Sequence, residues 1–295
     1  MKLLNKSMLL KIAITIVAAI IVLLFFLIKN ELFPSLKNEP FISVVVTSYN
    51  YEKFIKKTLE SISNQSYKNF EVVIVDDGSK DNSVAIIKQF TDKYKNFHLY
   101  THENSQNKGF IESMKLGISK AKGEYVAFLE SDDYWHKDNL IEKVKIINKY
   151  EDASFISNSI EVFGDKELVN IRKSYTDRVD RVLFMERTII HPLQIKELNP
   201  VPTFSCVMIK KEILDNLDYN TVVPEFLDYW LYRQILLFNP LYHIKKKLTF
   251  WRQHGNSYNT KLQNSENSHN FDEFWEANNE LLFSGKIKLK KYTPF

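Results

Sequence analysis

The chain is 295 residues long, 14% aromatic and 26% charged, with a formal net charge of +4 at pH 7 and a single cysteine, Cys206. That length holds one large domain with attachments; the mild charge leaves nucleic acid out as a partner, and the lone cysteine excludes an intramolecular disulfide and a thiolate zinc site. There is no Walker-type glycine-rich loop, no Gly-x-Ser-x-Gly elbow and no His-Glu-x-x-His helix, so kinase, serine hydrolase and zincin chemistries lack their parts.

A short basic tail, residues 1–11, carries Lys2, Lys6 and Lys11. Residues 12–28 then contain no charge and, extended back through Met8 with Lys11 snorkelling, are long enough to cross a bilayer core. One transmembrane helix is expected, making the protein single-pass in the membrane. A cleaved signal peptide is the alternative, against which the run ends in Leu24-Phe25-Phe26-Leu27-Ile28-Lys29 with no small-residue cleavage pattern. Residues 29–40 read as a linker.

From Phe41 the pattern changes. The run Phe41 to Val46 is rich in β-branched residues and ends in Thr47-Ser48-Tyr49-Asn50; behind it Ile55, Leu59 and Ile62 repeat at helical spacing. The same strand, polar loop and helix recur in Phe70 to Val75, Asp76-Asp77-Gly78-Ser79, and Ile87, Phe90 and Tyr94. A third unit runs through His98-Leu99-Tyr100, Asn107-Lys108-Gly109, and a helix with Phe110, Met114, Ile118 and Ala121 inward. The apolar strand Tyr125 to Leu129 opens a fourth and delivers Glu130-Ser131-Asp132-Asp133 at its C-terminal edge.

Strands alternating with helices of this length predict a mostly parallel sheet with helices on both faces and the loops that follow strands on one rim. Residues 47–50, 76–79 and 130–133 then share one cleft, where open α/β sheets bind ligands. Carboxylates packed so closely repel unless a cation or donors neutralise them, which points to a divalent metal holding a phosphate-bearing ligand. The alternative is an acidic loop that caps the next helix.

Taken together, Val44 to Asn50, Val75 to Ser79, Asn107-Lys108-Gly109, and Gly123-Glu124-Tyr125 leading into Glu130 to Asp133 resemble the family 2 glycosyltransferases of GT-A fold, strongly over 41–134 and more weakly to about 256. The resemblance implies an α/β, Rossmann-like domain over 41–260, with a nucleotide-sugar half at 41–135 and an acceptor half at 136–260, and a basic, aromatic extension at 261–295. It places Thr47, Tyr49, Asn50 and Asp77 on the nucleotide base, with helix capping by Asn50 and plain turn chemistry at Asp77 as the alternatives. It makes Asp132 a ligand of manganese or magnesium, with Glu130 and Ser131 beside the donor and Asp133 either holding metal-bound water or capping a helix. Glu130 stands where the family usually has aspartate, its carboxylate carried about a bond length further out.

Further along, Pro224 to Arg233 resembles the family's Glu-Asp helix start. Asp228 aligns with the general base and Leu227 with the acid that often precedes it, while Glu225 is the fallback and helix capping the alternative. The helix dipole lowers the Asp228 pKa and desolvation raises it, and the sequence leaves the balance open. Asn199 to Ile209 looks like the family's loop-to-strand crossing beneath the acceptor. Arg252 and His254, alternating on a late strand, resemble a motif that returns to the donor's diphosphate and metal.

The implied function is metal-dependent, inverting transfer of a sugar from a nucleotide-diphosphate sugar, with UDP the expected nucleotide, to a glycan or lipid-linked hydroxyl in surface polysaccharide or glycoconjugate synthesis. A catalytically silent carbohydrate-binding scaffold and transfer to a polyprenyl phosphate are the rivals. Lys2, Lys6 and Lys11 favour a cytoplasmic N terminus, whereas the cytosolic supply of sugar nucleotides favours a catalytic domain at the cytoplasmic face in a bacterium. Both orientations stand. Lys286, Lys288, Lys290 and Lys291 read as a solvated basic tail or a contact with anionic lipid.

Overall fold

The computed structural model describes residues 36–183, 185–220, 226–255, 257 and 270–283. The chain divides into two compact units, 1–38 and 39–295. No helix among the described residues is long and apolar enough to cross a membrane; residues 12–28, Glu225 and the lysines after 283 lie outside the described set.

The second unit is built on a nine-stranded sheet. Its first part follows the expected rhythm: β1 (Ile42–Ser48), α1 (Ile55–Ser63), β2 (Phe70–Asp76), α2 (Ser83–Lys93), β3 (Phe97–Thr101), α3 (Phe110–Lys120) and β4 (Tyr125–Phe128). These strands lie in the order β3-β2-β1-β4, all parallel. Every residue of β2 is buried, as a continuous apolar strand covered on both faces should be. The helices dock through their periodic apolar faces, as Ile55, Leu59 and Ile62 of α1 show. Gly117 of α3 lets that helix sit close on the sheet, because a β-carbon there would meet the Val45 side chain at 2.5 Å.

Beyond β4 the sheet departs from the mostly parallel expectation and is mixed. It continues through β5 (Tyr134–Trp135), α4 (Asn139–Lys149), β6 (Phe155–Gly164), α5 (Lys166–Val182), β7 (Arg187–Thr188), β8 (Met208–Lys210), α6 (Lys211–Leu214), α7 (Leu227–Leu236), β9 (Leu241–Gln253) and α8 (Phe271–Phe283). The order runs on from β4 as β8-β6-β9-β5, with β7 paired to β9. β8 is antiparallel to both β4 and β6, while β9 runs parallel to β6 and antiparallel to β5 and β7. Of the segment Asn199 to Ile209 only the end joins this sheet, as β8; the rest is a coil with one short 3₁₀ turn at Phe204–Cys206.

The segment expected to be an appended extension contains α8, which belongs to the core. Its Phe274, Trp275 and Leu282 are buried, and the Arg233 guanidinium of α7 stacks on the Trp275 ring at 3.9 Å while bonding Asn279.

Candidate active site

The C-terminal ends of β1, β2 and β4 meet on one rim, held by main-chain bonds from Asp77 N–H to the Ser48 carbonyl at 2.8 Å and from Leu129 N–H to the Val45 carbonyl at 3.0 Å. Thr47 is part-buried in β1, and Tyr49 is 44% exposed. Asn50 adopts a left-handed φ of 56°. Its N–H donates to Ser79 Oγ at 2.9 Å and its Oδ1 accepts from Lys80 N–H at 2.7 Å, tying the first loop to the second. It caps no helix: α1 starts at Ile55, with Phe54 at its N-cap.

Asp77 is buried, and its two carboxylate oxygens accept the Lys108 and Gly109 amides at 2.7 and 2.9 Å, so it anchors the 107–109 loop. Gly78 makes the turn possible, with φ at 80° and the Ser105 carbonyl only 2.4 Å from where a β-carbon would stand.

In the acidic loop, Thr58 of α1 donates to the carbonyls of both Ser131 and Asp133, at 2.9 and 2.7 Å. Ser131, 3% exposed, thus sits at the base of the loop. The Glu130 carboxylate accepts from the Thr203 hydroxyl at 2.5 Å. Burial, then the charges of Asp132 and Asp228, push its pKa up to about 7.

Asp133 is 1% exposed; its Oδ1 accepts from the Arg252 amide at 2.7 Å and its Oδ2 has no partner. Burial, with the neighbouring carboxylates Asp132 and Glu130, raises its pKa well above the usual range. It does not cap the next helix either, since α4 begins at Asn139 behind Asp138.

Arg252 and His254 come back to this loop on β9. His254 Nε2 lies 3.0 Å from Asp132 Oδ2, and Arg252 Nε donates to the Asp132 carbonyl at 2.8 Å. The guanidinium is sandwiched between the rings of Phe54 and Phe163, 4.7 and 4.5 Å from their centroids. The His254 ring packs on Phe54 at 4.8 Å.

A divalent metal fits this corner. Asp132 and His254 present an oxygen and a nitrogen donor side by side, and the Asp133 Oδ2 lacks a partner among the described residues. The fit is to part of a coordination shell, because no group of three or more His, Cys, Asp or Glu side chains forms a metal cage among the described residues.

Asp228 stands in the first turn of α7, whose N-cap is Phe226, near enough to Glu130 for its charge to act on that carboxyl. Its Oδ1 accepts from the Tyr229 amide at 2.8 Å and its Oδ2 from Asn199 Nδ2 at 3.1 Å. Burial wins over the helix end and these donors, lifting its pKa to about 7. Leu227 is 1% exposed and belongs to the core, so the position next to Asp228 offers no acid.

Two contacts of this site escaped the sequence reading: Asn199, bonded to Asp228, and Thr203, bonded to Glu130. The signal available was a pair of short polar residues in a proline-flanked coil, Asn199-Pro200-Val201-Pro202-Thr203.

Comparison with known proteins bears on this arrangement. The family model for glycosyl transferase family 2 matches residues 43–218. An uncharacterized glycosyltransferase of Haemophilus influenzae is 26% identical over 235 residues, 79% of this chain and 71% of its own length. The putative teichuronic acid biosynthesis glycosyltransferase TuaG of Bacillus subtilis is 36% identical over 110 residues, 37% of this chain and 42% of its own. Of two other curated relatives the chain spans only 36% and 40%.

Among solved structures, S. aureus TarS 1-349 in complex with UDP-GlcNAc superposes with a TM-score of 0.62 at 20% identity, over 85% of this chain and 68% of that one. The mannosyltransferase PcManGT from Pyrobaculum calidifontis, in complex with GDP-Man and Mn2+, gives 0.56 at 17% identity, over 96% and 77%. At these identities the likeness is one of fold, the GT-A-like α/β arrangement.

Proposed function

Because this chain belongs to glycosyl transferase family 2, we propose that it moves a sugar from a nucleotide-diphosphate sugar, UDP being the favoured nucleotide, to a hydroxyl of a glycan or lipid-linked acceptor, with inversion at the sugar carbon. The observation that carries the reading is the meeting of Asp132 and His254 at 3.0 Å, on the rim where β1, β2 and β4 end. The solved structures of like fold hold UDP-GlcNAc and GDP-Man, and TuaG is named for teichuronic acid biosynthesis.

In this reading Thr47, Tyr49 and Asn50 receive the base, and Asp77, whose oxygens already take two amides, shapes the pocket and meets the base with its remaining lone pairs. Glu130 and Ser131 border the donor. Asp132 and His254 would hold manganese or magnesium, which when bound supplies charge that stabilises the departing diphosphate. Arg252, fixed between two rings, adds a permanent positive charge beside the same corner. Asp228 takes the proton from the acceptor hydroxyl as its oxygen attacks the sugar carbon and the bond to the diphosphate breaks. Its raised pKa suits a base working near neutrality.

Residues 12–28 supply a membrane anchor in this proposal, with the catalytic domain, in a bacterium, at the cytoplasmic face where sugar nucleotides are made. The test is calorimetric titration of the full-length protein with a panel of sugar nucleotides, with and without Mn2+, together with detection of nucleoside diphosphate release. Metal-dependent binding of one donor is the expected result. No donor binding under either condition would leave the silent scaffold as the better account.

A further inference from the structure

Asn199 is 2% exposed, and both ends of its amide are committed. Oδ1 accepts from the Val201 amide at 3.0 Å, so the Nδ2 end must face Asp228, whose Oδ2 it reaches at 3.1 Å. The Asn199 carbonyl accepts from the Tyr175 hydroxyl of α5 at 2.7 Å. Pro200 behind it disfavours helical backbone at Asn199. The residue is therefore pinned from three directions, and only its amide hydrogens point at the carboxylate.

The titratable neighbours of Asp228 are Glu130 from the loop after β4, Tyr175 from α5, and Tyr229 and Tyr232 from its own helix, all of which feel its charge. Arg172 acts on Tyr175 and Tyr229. Among the described residues Asn199 is the one side chain that donates a hydrogen bond to Asp228. A donor to a carboxylate favours its ionised form, against the burial that favours the protonated one.

We propose that Asn199 is a positioning residue for the transfer reaction, holding the Asp228 carboxylate in one orientation and in the ionised form that accepts the acceptor's proton. This rests on the reading of Asp228 as the base. Asn199 itself exchanges no atom: the proton passes from the acceptor hydroxyl to Asp228, the hydroxyl oxygen bonds the sugar carbon, and the electron pair of the broken bond leaves with the diphosphate.

The test uses full-length protein in detergent, labelled with ¹³C at the aspartate carboxyl carbons, the Asp228 resonance being the one absent from Asp228→Asn. In wild type it should titrate near neutrality. In Asn199→Leu the midpoint should move up by about one pH unit, the size expected for losing a hydrogen bond to a charged group. Asn199→Ala also removes the donor and adds neither a carboxyl nor a further labelled resonance, so it should shift the midpoint in the same direction and serves if the leucine variant does not fold.

With UDP-GlcNAc and Mn2+, the acid limb of UDP release should move by the same amount, with the donor KM unchanged and the rate recovering at high pH. An unmoved titration in a folded variant, or a rate lowered equally at every pH, overturns the proposal. Undiminished turnover in Asp228→Asn is a separate result, which overturns the base reading and the positioning role with it.

Discussion

Asp132 and His254 stand 122 positions apart in the chain, yet their Oδ2 and Nε2 atoms lie 3.0 Å from one another. β9 makes this possible by running parallel to β6 and antiparallel to β5, which delivers its C-terminal end beside the acidic loop. A hydrogen bond between them fixes both side chains at that corner.

Asp132→Ala should therefore abolish Mn2+-dependent donor binding and leave the fold intact. Removing this charge also relieves Glu130 and Asp133, whose pKa values it raises, so the variant should melt no lower than wild type at pH 8. His254→Ala should weaken the same binding by a smaller factor. Calorimetry with and without Mn2+ checks both, and unchanged affinity in Asp132→Ala would remove Asp132 as the ligand.

Asp228→Asn should keep donor affinity and lower turnover by about 10² to 10⁴-fold, the usual contribution of positioned proton transfer. The wild-type rate should rise with pH through about 7, where Asp228 ionises, and the variant should lack that rise.

The same substitution carries a stability signature. Burial raises the folded pKa of Asp228 to about 7, above its ordinary value of 3.8, so the folded state binds more protons than the unfolded state between those values. Stability then falls as pH rises through that window, and the penalty is complete above about 7. Asp228→Asn removes it, and should be more stable than wild type at pH 8, by a few kcal/mol at most on the order-of-magnitude scale of one pKa unit, with the gap closing toward pH 4. Thermal melts at the two pH values test this.

Thr203→Val should destabilise the domain by about 1–3 kcal/mol, because its hydroxyl donates to a buried carboxylate. The loss should be larger at pH 8 than at pH 5, since Glu130 ionises near 7 and the charged acceptor makes the stronger bond. Urea denaturation at both pH values measures the difference; equal losses would mean that Glu130 does not change its protonation state between pH 5 and pH 8.

Deleting residues 1–37 should leave a cooperatively folding domain that still binds donor, because the unit 39–295 contains the whole sheet. The full-length chain should sediment with membranes after a carbonate wash, and recovery in the soluble fraction would refute the anchor.

The first four strands could be read from the sequence because burial on both faces makes them continuous apolar runs, as in Val72 to Val75, each followed by a periodic helix. The remainder of the sheet hides for physical reasons. β5, β7 and β8 have two or three residues each, too few for any period, and β9 carries Lys245, Lys246 and Lys247 exposed in its middle, where its register with β6 shifts. Helix α8 does show an apolar stripe, Phe271, Phe274, Trp275 and Leu282, but polar sequence on both sides of it gives the look of an appendage.

The site divides in the same way. Asp132, His254 and Asp228 belong to ordered motifs, whereas Asn199 and Thr203 are single polar residues whose neighbours in sequence ask only for a turn. Whether Asp228 titrates high or low depended on how deeply it is buried, which only the packing of α7 against Asn199 and the Glu130 loop decides.

The place of β9 in the sheet order has a consequence for synthesis. The strand that carries Arg252 and leads into His254 lies between β6 and β5, so a ribosome-bound chain can pair β1 to β4 while the corner around Asp132 is still half made. A nascent or prematurely terminated chain that ends before Leu241 lacks both residues, and it carries β1, β2 and β4 with their loops but no means of completing the corner against Asp132. The last long strand among the described residues is thus the one that brings partners to the acidic loop, and a chain without it leaves Asp132 facing neither Arg252 nor His254.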